Sequence, residues 1–411
     1  MLGEIMNKRN EVVGYFLVVG ILFVSGCDTF FTSVPEQGEA FDQPLPGLTR
    51  DQQLAFARGD EAFDKRFSFS EGLGPIFNQQ ACGSCHPADG KSHPRTNLTR
   101  FGLNTGYSFD ALLESGGPQL QDRSIPGVPA EVIPTHANAI SVRSGPAVFG
   151  MGLVEFIPDS IILSHADPSD TNGDFISGRP NFVSAADYIT EEPGSYNGLY
   201  LGRFGRKAGI AFLTQQVVTA YQQDIGITSE LLPEENPHPQ AELLGDDVPD
   251  PEVSAAVVND VVFYLRTLAP PRRGLNTPQV QRGEEVFTTI DCASCHIPTM
   301  RTGPHSTIAA LSNVEAHLYS DLLLHDMGEE LADNFVEGEA TGREWRTTPL
   351  WGLRLYEEQL GGTAFYLHDG RTSDLREAIR AHGGEAASAR SRFLELPPED
   401  REALIAFLKS L

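Results

Sequence analysis

Apolar and polar positions alternate along this chain in a way that predicts helices joined by long irregular connections. Near the N-terminus an apolar run from Val12 to Val24 follows Lys8 and Arg9, the charged-then-apolar order of an export signal. It is short for a bilayer span of about 20 residues. Further on, two amphipathic stretches of helical period end alike, in Tyr264-Leu265-Arg266-Thr267-Leu268 and Phe407-Leu408-Lys409-Ser410-Leu411. Two helix starts are equally plain: Thr49-Arg50-Asp51-Gln52 has the capping-box pattern, and Thr277 stands as N-cap with Pro278 at the first helical position. Between the stretches, Pro270 and Pro271 stop a helix and leave an extended linker over residues 269–274. The surplus from about Phe101 to Pro251 is rich in Gly and Pro, with short apolar runs and some helix near Phe212 to Tyr221.

Five cysteines change this picture. Four fall in two copies of one pattern, Cys82-Gly83-Ser84-Cys85-His86 and Cys292-Ala293-Ser294-Cys295-His296. Cys-x-x-Cys-His is the attachment pattern of c-type haem, in which two thiols bond the vinyl groups along one porphyrin edge and the next imidazole ligates iron. A thioredoxin-like dithiol, a zinc site shared by the two pairs and two structural disulfides are the alternatives, and each leaves the paired histidines unexplained. Two covalent haems are expected, with His86 and His296 as proximal ligands. Phe77 and Phe287 each stand five positions before the first cysteine of their motif, which extends the repeat. The fold class expected is mainly α, with two cytochrome c-like domains over residues 49–274 and 275–411, the first carrying a long irregular insertion.

The fifth cysteine closes Val24-Ser25-Gly26-Cys27, which resembles a bacterial lipobox. Residues 1–26 then form a lipoprotein signal peptide, Cys27 carries the lipid, and residues 27–48, rich in Pro, Gly and Gln, form a tether. The body is expected outside the cytoplasm, anchored to a bacterial membrane. At 411 residues the chain suits two or three domains, and its net charge of −26 makes nucleic acid an unsuitable partner. Such a field favours a basic redox partner, although an acidic surface also simply keeps a protein soluble.

A wider set of motifs carries a family resemblance. GLGPIFN (Gly72 to Asn78), DTNGDFISGRPN (Asp170 to Asn181), GRFGRKA (Gly202 to Ala208), DLLLHDMG (Asp321 to Gly328), RTTPLWGL (Arg346 to Leu353), LHDGR (Leu367 to Arg371) and AHGGEA (Ala381 to Ala386) span Gly72 to Leu411. With them the chain resembles bacterial di-haem oxidoreductases, a family of peroxidase-like proteins also called thiol oxidoreductases. These are related to di-haem cytochrome c peroxidases and to the di-haem enzymes that mature methylamine dehydrogenase. Every cysteine here is already assigned to haem or lipid, which leaves no dithiol for a thiol oxidoreductase reaction.

The resemblance implies one six-coordinate electron-transfer haem and one haem that opens a site for peroxide. In the relatives the distal ligand of the second haem lies fourteen positions after the histidine of an HDG motif, which places it at His382 and makes His368 structural. Met327 and His325 are the other candidates, and a helix-end role is the alternative for His382. No histidine falls where the relatives place a distal ligand on the first haem, so its sixth position is expected open; His93, His136 and Met151 are unassigned. Glu155, in GPAVFGMGLVEF (Gly145 to Phe156), stands where the relatives carry the distal pocket and is the candidate proton-moving acid, the alternative being an ion pair with Arg203 or Arg143. The relatives also often hold calcium between domains, and Asp170, Asn172 and Asp174 are its candidate ligands here, against a solvated Asx-rich turn.

Two departures stand out. The relatives place a tryptophan of the first domain between the haems, whereas both tryptophans here, Trp345 and Trp351, lie in the second, and Arg206 stands where relatives commonly carry tryptophan. The resemblance implies electron flow from the His296 haem to the His86 haem, with a small redox protein or cytochrome as donor and peroxide or a similar oxidant as acceptor. A pure electron-transfer cytochrome, and oxidation of a protein partner through a high-valent di-haem state, are the rival functions.

Overall fold

Both predicted caps start helices. Gln52 N donates to Thr49 Oγ1 at 3.3 Å while Thr49 N donates to Gln52 Oε1 at 3.0 Å, and Val280 N donates to Thr277 Oγ1 at 3.3 Å. In this computed structural model, residues 40–190 and 194–411 are described. The expected leader, Cys27 and most of the tether lie outside them. The helices in chain order are α1 (Arg50–Asp64), α2 (Cys82–Cys85), α3 (Met151–Glu155), α4 (Asp159–Leu163), α5 (Leu213–Ala220), α6 (Ala255–Thr267), α7 (Pro278–Thr289), α8 (Tyr356–Gln359), α9 (Leu375–Arg380), α10 (Ala387–Glu395) and α11 (Pro398–Leu408). No described helix is long and apolar enough to cross a membrane.

Two helix pairs repeat one contact. α1 crosses α6 at Gly59, where a Cβ would lie 2.1 Å from Asp260 O and 2.5 Å from Tyr264 Cβ. α7 crosses α11 at Gly283, where a Cβ would lie 2.0 Å from Ala403 O and 2.6 Å from Phe407 Cβ. Only glycine lets the backbones come so close. Four residues later on each helix comes an aromatic ring, Phe63 at 5.6 Å from Tyr264 and Phe287 at 5.2 Å from Phe407. Tyr264 and Phe407 therefore occupy corresponding places, as their matching C-terminal runs imply.

The equivalent of Phe287 is thus Phe63, not Phe77. Phe77 sits in a two-residue strand, Ile76–Phe77, paired with Arg123–Ser124. Equal spacing to the cysteines misleads because the first half has a longer loop between helix and motif. α7 leads almost directly into Cys292, whereas residues 65–81 separate α1 from Cys82. The repeat that survives is Arg58-Gly59-Asp60-Glu61-Ala62-Phe63 against Arg282-Gly283-Glu284-Glu285-Val286-Phe287.

The expected irregular insertion contains an antiparallel sheet of three strands with Leu98–Asn104 in the middle, flanked by Phe109–Asp110 and Ala139–Arg143. It also contains α5, which runs on into a wider turn over Tyr221–Ile225. Other strands are short pairs, so the architecture is mainly helical with long ordered loops.

A second reciprocal contact joins residues of the two halves. A Cβ on Gly150 would lie 2.4 Å from the Trp351 ring, and a Cβ on Gly352 would lie 2.4 Å from the Phe149 ring. The segments are again alike, Arg143-Ser144-Gly145-Pro146 leading to Phe149-Gly150 and Arg346-Thr347-Thr348-Pro349 leading to Trp351-Gly352. One apolar core accordingly runs from Phe41 and Phe56 through Phe149 and Tyr264 to Leu322, Trp351 and Tyr356. A smaller one fills the space between α7 and α11. The described residues belong to a single compact unit.

The end of the expected tether belongs to that unit. Phe41, Leu45 and Leu48 are buried, Phe41 stacks on Phe149 at 4.6 Å, and Leu45 N donates to Thr267 O at 2.7 Å. Apolar side chains in an otherwise polar segment gain more from the core than from solvent. The linker repeats this contact, with Gly274 N donating to Ser410 O at 2.7 Å.

Gly59→Ala and Gly283→Ala each push two helix backbones apart. Overpacking of this kind costs about 1–3 kcal/mol, so both variants are expected to melt several degrees below the parent in circular dichroism of the haem-loaded protein. Unchanged melting in both would show that the crossings have room to give.

Candidate functional site

Each Cys-x-x-Cys-His segment is one helical turn closed in the same way. His86 N donates to Cys82 O at 3.0 Å, and His296 N donates to Cys292 O at 3.0 Å. The turn puts two thiols and an imidazole on one face. The ring from the preceding helix stands beside each imidazole, Phe63 at 6.3 Å from His86 and Phe287 at 6.3 Å from His296.

Three imidazoles at the candidate sites are oriented by backbone carbonyls. His296 Nδ1 lies 2.9 Å from Tyr319 O, His382 Nδ1 2.7 Å from Ala378 O, and His86 Nδ1 3.3 Å from Gly90 O. A ligating histidine typically gives its second nitrogen to such an acceptor, which fixes tautomer and ring direction and leaves Nε2 for metal. Burial pushes His86 and His296 down to about 4 and lowers His382, so all three are neutral near pH 7, the form that binds iron.

His296 and His382 line one cavity of about 880 Å³, together with Cys292, Cys295, Met327 and Leu350. That volume is in the range of small-molecule and cofactor sites. Around His86 the fit is set by Gly145. A side chain there would bring a Cβ to 2.8 Å from Cε1 and 3.2 Å from Nε2, and its absence keeps the iron-facing edge clear. None of the four motif cysteines is disulfide-bonded. Burial pushes Cys82, Cys85 and Cys292 up to about 12 and raises Cys295, so these positions suit neutral sulfur rather than thiolate. Among the described residues no metal-ligand cluster unites the two cysteine pairs, which removes the shared zinc site. The donor set fits haem.

A family model described as "di-haem oxidoreductase, putative peroxidase" matches residues 134–411. The chain belongs to that family. It is a haem-dependent oxidoreductase. The matched span includes Cys292, Cys295, His296 and His382 and begins after Cys82–His86. Among solved structures, a MauG-like protein associated with microbial copper homeostasis is 14% identical, with a TM-score of 0.38 and coverage of 93% of this chain and 95% of that one. The hydrazine synthase of Kuenenia stuttgartiensis is also 14% identical, with a TM-score of 0.34 and coverage of 93% and 98%. No curated protein matches.

In the di-haem oxidoreductase, His325 and His368 line the same cavity but are engaged differently. His325, a candidate ligand by sequence, has both ring nitrogens engaged, Nε2 at 2.8 Å from Asp321 Oδ2 and Nδ1 at 2.7 Å from Glu385 Oε2. Burial works against its charge, but the Asp321 carboxylate overrides this and holds it well above the usual histidine range. It is held between two carboxylates, which favour its charged form. Met327 does line the cavity. His368 stacks on Trp345 at 3.7 Å, and its backbone oxygen accepts from Ser144 N at 2.8 Å. His93 Nδ1 accepts from Arg95 N, His136 is exposed, and Met151 packs against the apolar core.

Glu155 is buried in an ion pair, and its partner is Arg266 rather than Arg203 or Arg143. Arg266 Nε donates to Oε2 at 2.6 Å, while Leu213 N donates to Oε1 at 2.9 Å. Both oxygens thus tie α3 to α6 and α5. Arg203 pairs instead with Asp159, and Arg143 with Glu337. The Asp170, Asn172 and Asp174 oxygens are occupied by their own loop: Phe175 N donates to Asp170 Oδ1, Asp174 N to Asn172 Oδ1 and Ile176 N to Asp174 Oδ1. These are Asx-type turns, and Gly173 to Ile176 of the loop line the cavity. Sequence reasoning passed over Phe63, Gly145 and Arg346, although the repeated Arg-x-x-Pro of residues 143–146 and 346–349 was a signal for the last two.

Beside the site, Glu337 accepts from Arg143 at 2.6 Å and Arg100 at 3.4 Å, and Asp333 pairs with Lys207 at 3.1 Å. Burial raises the Glu337 carboxyl, but the two guanidinium groups outweigh it and hold the group at about 2 instead of 4.5. A depressed carboxylate contributes stability that is present above the unfolded value and lost as pH falls through the folded one. Glu337→Gln should therefore cost about 3–5 kcal/mol near pH 7, where it leaves buried cations uncompensated, and distinctly less near pH 3. Urea denaturation at the two pH values checks this, and an equal loss at both would refute it.

Proposed function

We propose that this di-haem oxidoreductase is an extracytoplasmic, lipid-anchored c-type enzyme of the peroxidase kind, in which electrons pass from the His296 haem to the His86 haem and peroxide or a similar oxidant is reduced there. The observation that carries it is the asymmetry of the carbonyl-held imidazoles, two beside one cavity and one alone at the other motif.

Cys82 and Cys85, and Cys292 and Cys295, would hold the two porphyrins as thioethers, with His86 and His296 as proximal ligands and His382 as sixth ligand in the second half. Bound haem iron supplies the one-electron chemistry. The chain's own work is orientation and access. Tyr319 O and Ala378 O aim two imidazoles into one cavity and strengthen them as ligands. At His86 no described histidine or methionine stands ready in the same way, which supports an open coordination position for the oxidant.

The two helix pairs, each crossed at a glycine, support reading residues 49–274 and 275–411 as two cytochrome c-like domains fused along a shared core. The leader pattern and Cys27 support export and lipid attachment, the compartment in which c-type haem is joined to protein. A net charge of −26 favours steering of a basic electron-donor protein.

Pyridine haemochrome analysis should count two covalent haems. Paramagnetic resonance with cyanide titration of the oxidised and half-reduced protein should show one high-spin iron that binds cyanide, lost in His86→Ala and kept in His382→Ala. Two low-spin irons inert to cyanide even after half-reduction would sink the peroxidase reading and leave an electron carrier.

A further inference from the structure

Six lysines and arginines are buried among the described residues: Lys91, Arg143, Arg203, Arg206, Lys207 and Arg346. Three have a carboxylate partner, Arg143 with Glu337, Arg203 with Asp159 and Lys207 with Asp333. The other three, Lys91, Arg206 and Arg346, have none in ion-pair contact. These same three, and none of the paired ones, line the cavity that holds His296 and His382.

Their remaining contacts are to neutral groups. Arg206 donates to Ser144 O at 2.8 and 3.0 Å and to Thr348 Oγ1 at 3.3 Å, bridging the two Arg-x-x-Pro segments. Arg346 donates through Nε to Gly205 O and through Nη1 to Thr347 O, leaving Nη2 without a protein acceptor among the described residues. Lys91 Nζ donates to Phe365 O at 2.6 Å and Leu367 O at 3.3 Å. A guanidinium has five N–H donors and an ammonium three, so each keeps donors in hand. Burial pushes Lys91 well below its ordinary range, Arg206 to about 10 and Arg346 to about 9, and the field of Arg206 adds to the shift of both neighbours. Three like charges buried together without an anion are costly, and the other buried cations show that this chain pairs such charges when it has the partner.

We infer that Lys91, Arg206 and Arg346 form a carboxylate clamp that holds haem propionates at the junction of the two Arg-x-x-Pro segments. Haem brings two carboxylates, the planar guanidinium matches a carboxylate with paired N–H bonds, and Arg206 already touches a segment of each half. The clamp also tunes the iron it serves. A cation beside a propionate favours the reduced metal, so its loss lowers the midpoint potential.

This inference rests on the di-haem reading above, so the haem count comes first: fewer than two covalent haems in the parent protein would fail that reading itself. With two haems present, Lys91→Gln, Arg206→Gln and Arg346→Gln are compared by spectroelectrochemical titration and by the propionate bending band in resonance Raman. The expected result is a shifted propionate band in at least Arg206→Gln and Arg346→Gln, with one midpoint potential lowered by a tenfold change in the oxidised-to-reduced ratio, about 59 mV for one electron. Arg206→Lys keeps a cation and guards against misfolding of the neutral variants; it should shift the band while moving the potential less. A propionate band unmoved in every variant overturns the clamp, even if the potential falls, because the charges then act only through space.

Discussion

Contact between helix backbones at Gly59 and Gly283 is the constraint on which the rest of the molecule depends. A glycine on one helix lets the carbonyl and Cβ of the other approach within a distance no side chain allows. That approach fixes where the ring one turn later comes to rest, and the ring in turn bounds the space of the motif imidazole, at the same 6.3 Å in both halves. The Cys-x-x-Cys-His turn is short and closed by its own backbone bond, so it needs such a wall to have a defined position. Geometry at the two Cys-x-x-Cys-His motifs is therefore inherited from a packing event two layers behind them.

Electrostatics divides the interior into settled and unsettled regions. Glu337 with Arg100 and Arg143, and Asp321 with His325 and Glu385, are closed networks in which each buried charge meets its opposite. Such networks specify a packing arrangement more than they add to stability. The neutral, carbonyl-held imidazoles and the cations facing the cavity are different in kind. Their remaining donors and acceptors are not met by a charged partner, although His325 and Glu385 of the closed network share the wall of the same cavity.

What could be read in the sequence was whatever depends on neighbours along the chain. The haem motifs occupy five consecutive residues, the caps four or fewer, and the matched C-terminal runs correctly announced that Tyr264 and Phe407 play one part. Where the reading failed, the deciding partner was distant. His325 looked available because Asp321 is four residues away but Glu385 is sixty, and only folding shows that both ring nitrogens are taken. Glu155 was offered Arg203 and Arg143, while Arg266, 111 residues on, holds it. Phe77 was matched by counting from the cysteines, although the Arg-Gly-acid-Glu run before Phe63 and Phe287 was there to be aligned.

The exchange of Phe149 onto Gly352 and of Trp351 onto Gly150 has a consequence for electron movement. Gly145, against His86, and Leu350, in the wall of the cavity that holds His296 and His382, lie within a few residues of these rings. The segments that follow these positions in the two halves are thus joined by backbone against ring. Tunnelling rates fall steeply with distance and suffer when the surroundings must rearrange. Haems held at His86 and His296 would have their spacing restrained by this clasp, which would leave the driving force as the quantity free to change.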